Sequence, residues 1–177
     1  MRIEFEPSLL ADHVRDVHDF PTDGVNFKDI TPLLGNPAAF ASAVDALVDS
    51  FGRGTIDKVV GIEARGFIVA APVAYHVGAG FVPLRKLGKL PHETLAETYD
   101  LEYGTETLEI HADALGEGDR VLIVDDVLAT GGTAAAACDL VERTGAQVAG
   151  LAFVIELTFL DGAARLSGYD YTSLLRY

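Results

Sequence analysis

The chain has 177 residues, enough for one domain with a substantial core and too few for two ordinary ones. Its formal charge of −14, from 27 acidic against 13 basic side chains, argues against nucleic acid or an anionic membrane as partner. The single cysteine, Cys138, excludes an internal disulfide and a cysteine-based zinc cluster, and the acidic opening segment lacks the apolar run of a signal peptide, so a cytoplasmic protein is expected.

Leu9 to Val17 predicts a short helix with Ser8 as its cap. Asp19 to Leu34 is punctuated by proline and glycine and predicts irregular chain, with one extended piece over Val25 to Lys28. Phe40, Val44, Leu47, Val48 and Phe51 recur at helical spacing, which predicts a helix over Pro37 to Phe51. A buried strand over Lys58 to Ile62, a helix over Phe67 to Val77 and a strand over Phe81 to Leu84 follow. The apolar run from Gly66 to Pro83 contains Pro72, Tyr75 and His76, which argues against a membrane span. Leu87 to Thr98 lacks sustained periodicity, carries Gly88 and Pro91, and predicts a flexible loop. Paired strands are expected over Tyr99 to Tyr103 and Thr105 to His111, then a strand over Arg120 to Val124, a helix over Thr133 to Arg143 and a strand over Val148 to Leu157. This alternation predicts an α/β fold, a single domain over residues 1–177 built on a mostly parallel, doubly wound sheet flanked by helices.

The segment Val121 to Thr133 carries the most chemistry. A four-residue apolar strand runs into Asp125 and Asp126, which are expected to interrupt it, and Ala129-Thr130-Gly131-Gly132-Thr133 leads into an alanine-rich helix. Open α/β sheets bind ligands at the carboxyl ends of their strands, where this loop would sit. Its backbone N–H groups, with the unpaired donors and dipole of the helix that follows, form a receptor for phosphate. Thr130 and Thr133 add hydroxyl donors, whereas the two carboxylates suit the hydroxyls of a sugar or a hydrated Mg²⁺. A phosphorylated sugar satisfies both halves. No Gly-Lys-Ser/Thr follows and no Gly-x-Gly-x-x-Gly is present, so nucleotide hydrolase and dinucleotide readings lose ground.

The segment resembles the phosphoribosyl pyrophosphate (PRPP) loop of type I phosphoribosyltransferases. Four further stretches, in the family's order, are similar to adenine phosphoribosyltransferases: Phe20 to Leu34, Gly61-Ile62-Glu63-Ala64-Arg65-Gly66-Phe67, Arg85-Lys86-Leu87-Gly88-Lys89-Leu90-Pro91, and Leu101-Glu102-Tyr103-Gly104. The resemblance implies the type I phosphoribosyltransferase fold, with a small N-terminal hood over about residues 1–34 and a flexible active-site loop over about 87–98. It implies purine salvage, in which adenine and PRPP give AMP and pyrophosphate with Mg²⁺ as cofactor, in a homodimer without nucleic-acid or membrane partners.

The resemblance also distributes roles. Asp125 and Asp126 would hold the ribose hydroxyls, and Ala129, Thr130, Gly131, Gly132 and Thr133 the 5′-phosphate. Arg65, Arg85, Lys86 and Lys89 would bind pyrophosphate, and the chain's only other lysines are Lys28 and Lys58. Val25, Asn26, Phe27 and Lys28 would recognise the base, with Phe27 stacking on it. Glu102 would transfer the proton at the base nitrogen. Mg²⁺ would be held mainly by substrate and water, with no dedicated protein cage. A transferase for hypoxanthine, guanine or xanthine remains open, as does a PRPP-binding regulator, although a regulator would need a basic face that this chain lacks.

Overall fold

In the computed structural model, which describes residues 6–101 and 104–177, helix α1 (Pro7–Ala11) is followed by strands β1 (Arg15–His18) and β2 (Asn26–Asp29) and helices α2 (Thr31–Gly35) and α3 (Pro37–Phe51). Next come β3 (Lys58–Ile62), α4 (Arg65–Val77), β4 (Gly80–Lys86), β5 (Thr94–Asp100) and β6 (Thr105–His111). The chain continues through β7 (Arg120–Leu128), α5 (Gly132–Arg143), β8 (Gln147–Glu156), two 3-10 turns (Thr158–Leu160 and Gly162–Leu166) and β9 (Tyr171–Arg176). Two compact units divide inside α3, between Ala46 and Leu47.

In the smaller unit β1 and β2 form an antiparallel pair, Arg15 opposite Asp29 and His18 opposite Asn26. The expected helix over Leu9 to Val17 therefore stops at Ala11. Its apolar spacing is compatible with a helix, but pairing with residues eight to fourteen positions away, invisible to local periodicity, claims Arg15 to His18 as strand. The stretch to Leu34 is more regular than expected. Pro32 lies in the first turn of α2, where its missing N–H costs nothing, and Asp29 accepts the Thr31 N–H at 2.9 Å.

The larger unit holds a seven-stranded sheet in the order β5-β6-β4-β3-β7-β8-β9. The pairs β3/β4, β3/β7, β7/β8 and β8/β9 are parallel, while β6 is antiparallel to both neighbours. The connection through α4 runs from β3 to β4, and that through α5 runs the opposite way, from β7 to β8. The β3/β7 boundary is thus the topological switch point, where the loops leaving the strand ends diverge and open a crevice. Val60, Ile62, Ile123, Leu151 and Phe153 from the central strands pack with Ala137, Leu140 and Val141 of α5 in the core. Burying each large aliphatic side chain of this kind contributes about 1.5–3 kcal/mol.

Two expectations about element ends are corrected. Asp125 and Asp126 do not interrupt β7, because its ladder with β8 continues past them, Val127 opposite Ile155 and Leu128 opposite Glu156. Thr94 to Thr98 belong to β5 and Arg85 and Lys86 to β4, so neither group lies in a loop. β5 pairs with β6 along its whole length, and its polar, alternately exposed side chains concealed it from an apolar pattern search. Residues 87–93 are the remaining connection, and Glu109 ties both its ends, accepting the Gly88 N–H at 2.8 Å and the Thr94 hydroxyl at 3.1 Å.

Candidate active site

The switch point brings together the ends of β3 and β7. Asp126 is 6% exposed two residues before the end of β7, and its carboxylate is paired with the Arg65 guanidinium at the start of α4. A buried carboxylate is tolerated there because a guanidinium meets it. Asp125 is half-buried and accepts the Asp126 N–H at 2.8 Å. Burial first, and the neighbouring Asp126 charge second, push the Asp125 carboxyl well above the usual carboxylate range. Gly66 permits this crowding, since a Cβ on it would stand 2.8 Å from Asp125 Oδ1 and 3.1 Å from the Val124 carbonyl.

Beyond β7, Ala129, Thr130, Gly131 and Thr133 line a cavity of about 60 Å³ with Asp125, Val127 and Phe153. That is room for several water-sized groups, each needing roughly 10–15 Å³. Gly131 adopts φ 81° just before α5, a left-handed conformation that favours glycine. The turn delivers the unpaired N–H groups of the first helical turn to the cavity, the arrangement expected for an anion receptor.

The expected pyrophosphate cations are all in this unit and each is held by a carboxylate. Arg85 and Lys89 converge on Glu63, at 3.3 Å and 2.5 Å, and Glu63 also accepts the Lys86 N–H at 2.9 Å. Lys86 Nζ contacts Glu106 at 2.5 Å. Burial alone would raise the Glu63 carboxyl, but the hydrogen bonds from Lys89, the Lys86 amide and Arg85 outweigh it and hold the group at about 2. A folded pKa below the ordinary 4.5 means that this stability is present above 4.5 and is lost as pH falls towards 2. Glu63→Gln is accordingly expected to flatten the acid limb of stability in that window, read from urea midpoints between pH 5 and 2. An unchanged acid limb would contradict the clamp.

Sequence reading assigned no role to Glu63, Glu106 or Tyr99. Glu63 had a signal, a charged residue placed directly after an apolar strand inside a recognised motif. Tyr99 had none: its hydroxyl accepts from Thr133 Oγ1 and donates to Glu106 Oε2, both at 3.0 Å, a chain that joins β5 and β6 to the first turn of α5. Burial and the Glu106 charge push the Tyr99 phenol up to about 12, which keeps it a neutral donor.

In the smaller unit Asn26, Phe27 and Lys28 lie on β2, and Val25 is 41% exposed immediately before it. Phe27 meets Phe20 edge-on with ring centroids 5.2 Å apart, and Lys28 Nζ contacts Asp16 at 2.5 Å. Glu102, the expected proton-transfer residue, lies with Tyr103 outside the described residues. Among the described residues no three His, Cys, Asp or Glu side chains form a metal-holding group.

The phosphoribosyl transferase domain family matches residues 30–172. An adenine phosphoribosyltransferase of Acidothermus cellulolyticus is 64% identical over 168 residues, covering 95% of each chain. The chain belongs to the adenine phosphoribosyltransferase family. The crystal structure of the Thermoanaerobacter pseudethanolicus adenine phosphoribosyltransferase superposes with a TM-score of 0.93 at 50% identity, covering 97% of this chain and all of that one. The Saccharomyces cerevisiae family member, solved in complex with adenine and an imino-altritol bisphosphate, superposes at 0.90 with 41% identity over 96% of this chain and 98% of its own. This similarity includes the mostly parallel sheet flanked by helices.

Proposed function

We propose that this chain catalyses the transfer of the 5-phosphoribosyl group of PRPP to adenine, giving AMP and pyrophosphate in purine salvage. The observation that carries this reading is the pairing of a two-carboxylate strand end with a Gly-Gly loop at the switch point, in a chain 64% identical to a curated adenine phosphoribosyltransferase. The adenine reading is favoured over the other purine bases, because eight relatives at 53–64% identity carry the adenine name.

Asp125 and Asp126 bind the ribose hydroxyls, and the backbone of 129–133 with the Thr130 and Thr133 hydroxyls binds the 5′-phosphate. As the bond at the anomeric carbon breaks, the ribose ring gains positive charge, which the carboxylate pair stabilises. Pyrophosphate takes the charge that leaves. Arg65, Arg85, Lys86 and Lys89 receive it, exchanging their carboxylate partners for phosphate oxygens of greater charge. Glu102 transfers the proton at the base nitrogen, and Val25, Asn26, Phe27 and Lys28 recognise the base. The connection over 87–93 contributes Lys89 and covers the reacting ring, excluding water that would hydrolyse it.

The donor set at the strand end, two carboxylates without histidine or thiolate, fits Mg²⁺ held mostly by substrate oxygens and water. Such an ion, when bound with PRPP, offsets the charge of the leaving pyrophosphate. A homodimer is also part of the reading. The apolar residues Ile68, Tyr75 and Phe81 are 46%, 81% and 39% exposed in the larger unit and offer side chains to such an interface. AMP formation should require adenine, PRPP and a divalent cation together. Chelation should lower the rate by about 10²-fold or more, and a rate indifferent to chelator would overturn the role of the ion. Sedimentation at the mass of a single chain would overturn the dimer.

A further inference from the structure

The 3-10 turns between β8 and β9 carry none of the candidate site residues, yet their backbone lies against the loop after β7. A Cβ on Gly162 would stand 2.2 Å from the Ala129 carbonyl oxygen and 3.0 Å from the Gly131 nitrogen. Reciprocally, a Cβ on Gly131 would stand 2.4 Å from the Gly162 carbonyl oxygen. These neighbours are backbone atoms, so no rotamer change relieves the contact. Gly131 needs glycine for its φ of 81° as well, but Gly162 is not among the residues of positive φ. Its own conformation does not call for glycine; the close approach does.

The turn that presents Gly162 is anchored at several points. Leu157 donates its N–H to the Leu128 carbonyl at 2.9 Å, and Thr158 donates both N–H and hydroxyl to the Tyr177 carbonyl, at 2.8 Å and 2.7 Å. Leu166, at the far end, is 2% exposed in the core. Arg165 lies alongside as well, with Nη1 3.5 Å from the position a Cβ on Gly132 would take. The loop after β7 thus rests on a wall that cannot easily move away.

We propose that Gly162 is a positioning residue for the phosphoryl-binding backbone of residues 129–133. It acts through Ala129 and Gly131, holding their peptide groups in the orientation that aims the N–H donors at the 5′-phosphate. The proposal rests on the reading of 129–133 as the 5′-phosphate site. Replacing Gly162 with Ala pushes those peptides away from it and costs affinity for the phosphorylated sugar, not for the base.

Gly162→Ala is to be compared with Gly168→Ala. Gly168 lies between the same turns and β9 at φ +98°, with no atom within 4 Å of its Cβ position, so a side chain there strains the segment without touching the loop. For Gly162→Ala the expected result is a rise of about tenfold or more in the KM for PRPP and in the Kd for ribose 5-phosphate, with kcat and the KM for adenine within about threefold. For Gly168→Ala the expected result is a lower Tm with both PRPP readouts unchanged. Gly162→Ala that binds ribose 5-phosphate normally, or that loses PRPP and adenine affinity equally, overturns the proposal. Hydrogen exchange on the unaltered chain decides the case even if the variant does not fold. Ribose 5-phosphate should slow exchange at 129–133 and at 160–164 together. Protection confined to 129–133 overturns the role of Gly162, whereas no protection at 129–133 removes the 5′-phosphate reading itself.

Discussion

Replacing Asp125 with Asn is expected to make the ligand-free protein more stable and the enzyme much slower. Asp125 shares the end of β7 with Asp126, and burial together with that neighbouring charge raises its carboxyl well above the ordinary 3.8. The sign follows directly. A folded pKa above the unfolded one means that the folded chain binds the proton more tightly, so stability falls as pH rises from 3.8 through the raised value. Asn keeps the oxygen that accepts the Asp126 N–H and removes the charge. Relief on the order of 1 kcal/mol at neutral pH corresponds to a Tm rise of about 2–4 °C for a chain of this size. The same change removes a charge-assisted partner of the ribose and part of the field that favours a cationic ring, which should lower kcat/KM by about 10²-fold or more. Thermal unfolding between pH 5 and 8, beside steady-state kinetics, checks both halves. A variant that is less stable at pH 7, or one that retains full activity, would contradict the arrangement.

The second large effect is expected at Glu102. Glu102→Gln removes the proton-transfer group and keeps the size of the side chain, so kcat should fall by about 10²–10⁴-fold. PRPP affinity should change little, because the phosphates and ribose are assigned to other residues. The KM-against-kcat split is the readout. A loss confined to KM would move Glu102 from chemistry to binding, and an unchanged kcat would remove the role.

The strongly periodic and short apolar elements were the most legible in the sequence. Helix α3 and strands β3 and β6 fall at their expected bounds, because each is either strongly periodic or a short apolar run between clear breaks. The Val121 to Thr133 segment was readable for a different reason: adjacent carboxylates and paired glycines are costly in a generic strand-to-helix turn and useful against a phosphorylated sugar. Strand β1 was hidden, since only its nonlocal partner β2 makes it a strand. The expected strand over Tyr99 to Tyr103 caught only the last two residues of β5, whose polar side chains hid Thr94 to Thr98, and β9, a six-residue strand after the glycine-rich turns, was not anticipated. The carboxylate that gathers Arg85 and Lys89 was in plain view as Glu63, but sequence spacing carries no record of which charges meet. Gly162 illustrates the same limit: its significance lies in 2.2 Å of space against Ala129, a residue 33 positions earlier in the chain.

The central claim, that this site joins a phosphoribosyl group to adenine, is tested most directly by competition. Adenine, hypoxanthine, guanine and xanthine at equal concentration, with limiting PRPP and Mg²⁺, are incubated with the enzyme and the nucleotides separated and counted. Mispaired polar groups in a base site cost a few kcal/mol, so AMP should exceed each other nucleotide by about 10²-fold or more. AMP formed no faster than IMP, GMP or XMP would contradict the account.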